Sequence, residues 1–333
     1  LTRRWQPAVF EPGAGRSSED QRAALRRAIP PFDAALQAPR VAALDPYARF
    51  YSIDFEVGEE GVTHHIGLVE SGPFSLCTQL WRHPSPRATV LLVHGYFDHA
   101  AMYGHLVRHA LRRGCNVLTF DLPGHGLSSG DQVVIDDFSQ YSQAITDVLA
   151  AGHGLDQPWL GMAQSTGGAA LVELAATRDW PFQRCVLLAP LVRPRGWLSI
   201  RLAHLLVRPF RQSVPRNFNV NSHDETFMAF QRADPLQSPV VSIAWIGALR
   251  RWLRRLESAP LSEASILVLQ GDEDGTVDGP YNVARIQQWF PDAQVQWLPG
   301  AYHQLANESE AIRADYLARI DRYLWPDSED ASG

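Results

Sequence analysis

Lysine is absent from this chain of 333 residues. Its 30 basic side chains are all arginine, against 36 acidic ones, for a net charge of −6. No single function demands that bias, which reads as the composition of a GC-rich genome. Cysteine is scarce: Cys77, Cys115 and Cys185 lie far apart in apolar surroundings. An odd number with no metal-ligand spacing argues against a disulfide framework or a zinc site and leaves buried free thiols. No apolar run approaches the ~18 residues of a membrane span, and the opening LTRRWQPAVFEPGAG lacks a signal peptide's apolar stretch. A cytoplasmic protein is therefore expected. With no helix-turn-helix, zinc spacing or Gly-rich phosphate loop, neither metal, cofactor nor nucleic acid is expected as a partner. No repeat appears, and no motif fixes an oligomeric state.

What is present is a large core, since 45% of the residues are hydrophobic. Residues 1–45 read as an arm rich in Arg, Pro and Ala. It holds one short helix, opened by a capping pattern of Ser18 and Gln21 and stopped by Pro30-Pro31. YARFYSIDFEV, THHIGLVE and SLCTQLWRH then alternate between apolar and polar residues as in an antiparallel meander. Short, continuously apolar runs follow: TVLLVHG (89–95), CNVLTFD (115–121), PWLGMAQ (158–164) and CVLLAP (185–190). Segments of helix length separate them, the signature of a parallel sheet covered on both faces. The rhythm stops near 191, resumes with SILVLQGDED (265–274) and AQVQWLP (293–299), and ends in a helix near 308–324. The interruption contains two amphipathic helices, GWLSIRLAHLLVRPF and SIAWIGALRRWLRRLES. In the second, Ile246, Leu249, Leu253 and Leu256 form a stripe opposite Arg250, Arg251, Arg254 and Arg255. The expected division is a core of 46–190 plus 261–333, with a helical cap at 191–260, after the strands' C-terminal ends.

Within that frame Ser165, in GMAQSTGGAA, stands directly between a strand and a helix. A nucleophile on so sharp a turn needs small neighbours, supplied by Ala163, Gly167 and Gly168. A helix N-cap is the bland alternative. A serine hydroxyl also needs a base, and the base needs an orienting acid. His303 follows the run VQWLP, and Asp274 follows SILVLQG, so both fall at the same sheet edge as Ser165. Asp272 and Asp278 compete with Asp274 for that place, and a turn carboxylate or loop histidine would explain either residue structurally. Backbone N–H donors for a developing oxyanion are expected from Thr166 and, after TVLLVHG, from Tyr96, with Phe97 second. His94 is expected to bond loop backbone.

Taken in order, VLLVHGYFDHAAMYGHL, TFDLPGHGLSSG, GMAQSTGGAA, LVLQGDEDGTV and GAYHQLANE resemble the serine α/β-hydrolases over roughly 47–325. They are most similar to the branch of monoacylglycerol lipases and lysophospholipases. The resemblance implies an α/β-hydrolase fold: a mostly parallel central sheet, helices on both faces, and a helical cap inserted after the sixth strand. It also implies cleavage of lipid-like carboxylic esters through an acyl-enzyme, with Asp121, Pro123, Gly124, His125 and Gly126 in a structural loop. Serine at the elbow separates the chain from the dehalogenases and epoxide hydrolases of this fold, which use Asp. Ala163, Gln164 and Thr166 replace that branch's Gly, His and Met, which bears on substrate class. Amide cleavage and a non-catalytic binding role are the alternatives. Phe97, Trp197, Leu198 and Trp245 are candidate substrate contacts. The apolar cap, which also carries Leu202, Leu205, Leu206, Ile246 and Trp252, would line an acyl tunnel or pack on the core. Its Arg193, Arg195, Arg201, Arg208 and Arg211 would attract an anionic lipid surface or a lysophospholipid phosphate.

Overall fold

The computed structural model describes residues 18–35, 40–256 and 262–326. The first 17 residues and the polar tail DSEDASG fall outside these, as do the side chains of the Ser18–Gln21 capping pattern. Helix α1 (Ser18–Ala28) stops before Pro30-Pro31. The chain then runs beside the sheet: the Phe32 N–H donates to the Leu68 carbonyl, and the Leu68 N–H to the Pro30 carbonyl.

The stretch read as a first meander strand, 47–57, is instead helical. Helix α2 (Asp45–Phe50) and a 3-10 turn (Phe55–Val57) occupy it. Pro46 sits in the first turn, where its fixed φ suits a helix. Tyr47, Ala48 and Tyr51, at i, i+1 and i+4, all go into the core. Alternation over so short a segment is satisfied equally well by one buried helical face.

The meander is therefore two strands, β1 (Thr63–Ser71) and β2 (Phe74–Arg82), joined at Gly72 with φ 54°. Six further strands complete the sheet: β3 (Ala88–Val93), β4 (Cys115–Phe120), β5 (Trp159–Gln164), β6 (Arg184–Leu188), β9 (Ile266–Gly271) and β10 (Gln294–Leu298). Their order is β1-β2-β4-β3-β5-β6-β9-β10, parallel from β4 through β10 and antiparallel at β1 and β2. Every residue of β3, β4 and β9 is buried, because helices cover both faces. On one face lie α4 (Ser139–Ala151), α5 (Thr166–Thr177) and α9 (Gly279–Trp289), anchored by Ile145, Leu171 and Ile286. On the other, α3 (Gly104–Arg112) and α10 (Glu310–Leu324) pack through Leu106, Tyr316 and Ile320. Chain order reverses between β3, whose successor β4 lies on one side, and β5 on the other. The crevice beyond their C-terminal ends is the usual ligand position in such sheets.

Between β6 and β9 come α6 (Trp197–Val207), β7 (Ser213–Pro215), α7 (Glu225–Ala233), β8 (Val240–Ser242) and α8 (Ile243–Leu256). The end expected for this insert, at 260, lies outside the described residues. β7 and β8 pair antiparallel on their own. Helix α7 escaped the sequence reading because its nine residues carry too short an apolar pattern to register, although Asp224 caps it by accepting the Phe227 N–H. Helix α8 is joined firmly to the core: Trp252 is fully buried, stacks on Phe138 at 4.7 Å and donates its indole N–H to Glu173 at 3.0 Å. Trp252→Ala removes that stack and leaves a buried carboxylate oxygen without its donor. It is expected to cost about 3–5 kcal/mol, read as a lower midpoint in urea unfolding at unchanged slope.

Candidate active site

β5 ends at Gln164 and α5 begins at Thr166, so Ser165 alone makes the turn. Its backbone, at φ 52° and ψ −115°, lies where non-glycine residues are rarely found, at a cost of order 1–3 kcal/mol. Three hydrogen bonds hold it there. The Ser165 N–H donates to the Leu188 carbonyl at 3.0 Å, and its own carbonyl accepts from the N–H groups of Ala169 and Leu191. The small neighbours are required by close approach. A Cβ on Gly167 would sit 2.3 Å from the Val93 carbonyl oxygen, and one on Gly168 3.0 Å from Pro190. Ala163 is fully buried, in register with Val93 on one side and Leu187 on the other.

His303 and Asp274 meet this serine from loops beyond β10 and β9. The imidazole Nε2 lies 3.0 Å from Ser165 Oγ, and Nδ1 lies 2.7 Å from Asp274 Oδ2. Asp274 also accepts from the N–H groups of Thr276 and Val277 and from the Gln270 amide. Burial pushes the Asp274 carboxyl up, but His303 and those backbone donors outweigh it and hold the group below its usual value. Burial likewise pushes His303 down. The carboxylates of Asp274 and, more weakly, Asp98 overcome it and hold the imidazole above an ordinary histidine. Both shifts favour an imidazolium–carboxylate pair. The competing carboxylates are committed elsewhere: Asp272 accepts the Gly300 N–H, while Asp278 caps α9 and pairs with Arg193.

Of the N–H groups expected as oxyanion donors, that of Tyr96 stands in the loop after β3 and that of Thr166 at the start of α5. The backbone N–H of Tyr96 has no acceptor among the described residues, and that of Thr166 belongs to the first turn of α5, whose leading N–H groups lack intrahelical acceptors. His94 bonds the loop's backbone: its Nε2 accepts from the Leu122 N–H, and its Nδ1 donates to the Gly95 carbonyl. Asp121 ties down the neighbouring loop by accepting from the N–H groups of Ala100 and Leu127.

Three further residues complete the arrangement, and the sequence reading passed over the role of each. Buried Asp98 accepts from the Tyr103 hydroxyl and from the Gln304 amide. Gln304 accepts from Gln164, and Gln164 accepts from the Ala306 N–H. This network joins the residue before Ser165, the residue after His303 and the loop holding Tyr96. The only sequence signal was Gln164 itself, standing where the resembling branch has His.

The insert reaches the same edge. Tyr96 accepts the Ser242 N–H on its hydroxyl and lies 4.0 Å from the Trp245 ring. Asp234 accepts from the Tyr51 hydroxyl and lies 2.8 Å from His99 Nε2. The Gln304 N–H donates to the Asn221 carbonyl. Phe97 lies under the Arg216 guanidinium, 3.8 Å from its ring centre. Of the candidate substrate contacts, then, Phe97 and Trp245 gather around Tyr96. Trp197 and Leu198 do not: they line a separate cleft that none of Ser165, His303 and Tyr96 lines. The leucines of α6 fit neither an acyl tunnel nor core packing. Leu198, Leu202 and Leu206 are 77%, 60% and 64% exposed, because α6 buries little beyond His204.

The family described as serine aminopeptidase S33 (Hydrolase_4) matches residues 84–310. Human monoglyceride lipase is 27% identical over 268 residues, 76% of this chain and 87% of that protein. The monoacylglycerol lipase of Mycolicibacterium smegmatis is 27% identical over 240 residues, 68% of this chain and 84% of its own length. Among solved structures, a soluble variant of Saccharomyces cerevisiae monoglyceride lipase, in complex with a substrate analog, superposes with a TM-score of 0.67. It is 19% identical and covers 78% of this chain and 94% of its own. The fold is that of the α/β-hydrolases, as the motifs implied.

Because Asp98 raises the His303 pKa without touching the ring, Asp98→Asn is expected to lower that pKa in the folded protein. NMR titration of the His303 ring reads the shift directly; an unmoved titration would show that Asp98 acts only as a structural acceptor.

Proposed function

This chain belongs to the serine aminopeptidase S33 family, and on that premise we propose that it is a serine hydrolase of lipid-like carboxylic esters. The observation that carries the reading is the hydrogen-bonded chain Ser165–His303–Asp274 on a strained turn. Ser165 Oγ attacks the ester carbonyl while His303 Nε2 takes its proton, and Asp274 holds the ring's tautomer and stabilises the imidazolium. The N–H groups of Tyr96 and Thr166 receive the oxyanion. Collapse expels the alcohol, protonated by His303, and leaves an acyl-serine. Water, deprotonated by the same ring, attacks that ester, and Ser165 recovers its proton as the fatty acid departs.

The lipid-like substrate is supported by relatives named as monoglyceride lipases. The exposed leucines of α6, flanked by Arg201 and Arg208, support contact between the insert, acting as a cap, and a lipid surface. A second reading, amide cleavage, is favoured by the family's description as serine aminopeptidases. A panel of p-nitrophenyl acyl esters beside aminoacyl naphthylamides separates the two. Preferential turnover of the naphthylamides would replace the ester reading.

Ser165→Ala is expected to lower kcat by about 10⁶ and to abolish labelling by a fluorophosphonate; retained esterase activity would end the proposal. The base must be neutral to accept a proton, and its pKa is raised. So kcat/KM should fall as pH drops through an inflection above the ordinary histidine value of about 6.5, read from a pH–rate profile. Leu202→Asp with Leu206→Asp should reduce turnover of emulsified substrate while leaving a monomeric soluble ester unaffected.

A further inference from the structure

A cleft of about 280 Å³ opens between α6, α8 and α9, lined by Arg193, Arg201, Arg250, Arg254 and Arg285 with the rings of Trp197, Tyr281 and Trp289. We propose that it is a binding site for a phosphate-bearing anion, separate from Ser165.

Charge bookkeeping at the cleft carries the inference. Asp278 pairs with Arg193, 2.6 Å from its Nη2. The other four guanidinium groups have no carboxylate partner among the described residues. Arg250 donates to His204 Nδ1 at 2.7 Å, and burial together with the neighbouring arginine holds that imidazole below the ordinary histidine value. Arg285 donates to the Gln288 side chain and the Tyr281 hydroxyl, both uncharged. Arg201 and Arg254 make no hydrogen bond or ion pair among the described residues. Burial and repulsion from Arg201, Arg254 and Arg208 depress the Arg250 guanidinium below its ordinary value, so the folded chain holds like charges together at a cost. The protein as a whole carries −6, which makes this concentration of positive charge local. Lysine is absent throughout, so the choice of arginine is uninformative; its placement on four segments facing one hollow is not.

An anion of high charge density relieves that repulsion, and planar guanidinium forks match phosphate oxygens in pairs. The aromatic rings on the same walls suit an apolar body attached to the phosphate. A free phosphate ester and the head group of a phospholipid share this chemistry. Leu198, exposed on the same cleft, would face the acyl part of the second. The site does not rest on the esterase reading, since no residue of the Ser165 arrangement lines it.

The test is calorimetric titration and thermal unfolding of the full chain with inorganic pyrophosphate, at ionic strength matched with chloride. Sedimentation with phosphatidylcholine vesicles, with and without phosphatidate, runs beside it. Binding should be saturable and should raise Tm. Arg201→Gln and Arg254→Gln, both exposed positions, should each weaken it by about tenfold or more, whereas Arg211→Gln, outside the cleft, should not. Pyrophosphate binding without sedimentation assigns a free phosphate ester, and phosphatidate-dependent sedimentation lost in the same two variants assigns a lipid head group. No saturable binding to either probe, or binding unchanged in both Arg201→Gln and Arg254→Gln, overturns the site.

Discussion

The backbone of Ser165 is the constraint on which the rest of the arrangement depends. A non-glycine residue at φ 52° is tolerated only where its surroundings over-determine it. Here those surroundings are the Leu188 carbonyl, the Ala169 and Leu191 amides, and two glycines that let α5 press against the ends of β3 and β6. The turn lifts the hydroxyl out of the sheet to the one place where loops from β9 and β10 converge. It also leaves the first N–H groups of α5 at that spot without intrahelical acceptors. Strain, the placement of the Ser165 hydroxyl and a set of N–H groups without intrahelical acceptors thus come from a single turn.

Around that turn, buried polar groups act as braces. Asp98, Gln304 and Gln164 tie three loops together, each satisfying the others' donors and acceptors. Such a network holds geometry well when complete, and it does so poorly when one member is lost. The insert adds a second set of braces through Ser242 to Tyr96 and Asp234 to Tyr51 and His99. The loop expected to supply an oxyanion donor is therefore held from the core side by Asp98 and from the insert side by Trp245 and Ser242. The insert is a structural part of the site as well as its neighbour.

The two ends of the insert behave differently. Helix α8 buries Trp245, Ile246 and Trp252 against the core and turns Arg250 and Arg254 to a cleft, whereas α6 leaves its leucines in solvent and adds Arg201 to the same cleft. One segment anchors and the other presents a surface, amphipathic in composition and positive in charge. A protein of net charge −6 repels anions overall, and such a face is where that repulsion is locally reversed.

The sequence by itself determined the parts governed by local periodicity and chain order. Apolar runs of strand length named β3 through β6 and β9, because strands buried on both faces can hold little else, whereas β10 is a half-exposed edge strand reading QVQWL. The spacing of Ser165, Asp274 and His303, each just beyond a strand, is enough to bring them to one sheet edge. Short or ambiguous segments were not legible. Residues 47–57 alternate, yet Tyr47 and Tyr51 share a helical face, and nine residues of α7 were too few to show a period. Which of Asp272, Asp274 and Asp278 meets His303 was decided by tertiary structure, since all three lie within one turn-rich stretch and only loop geometry separates them. Tertiary structure alone joined Asp98 to Gln304 across 206 positions and turned the α6 leucines outward. A pairing over that distance depends on how loops from different strands meet, and no local pattern in the chain encodes it.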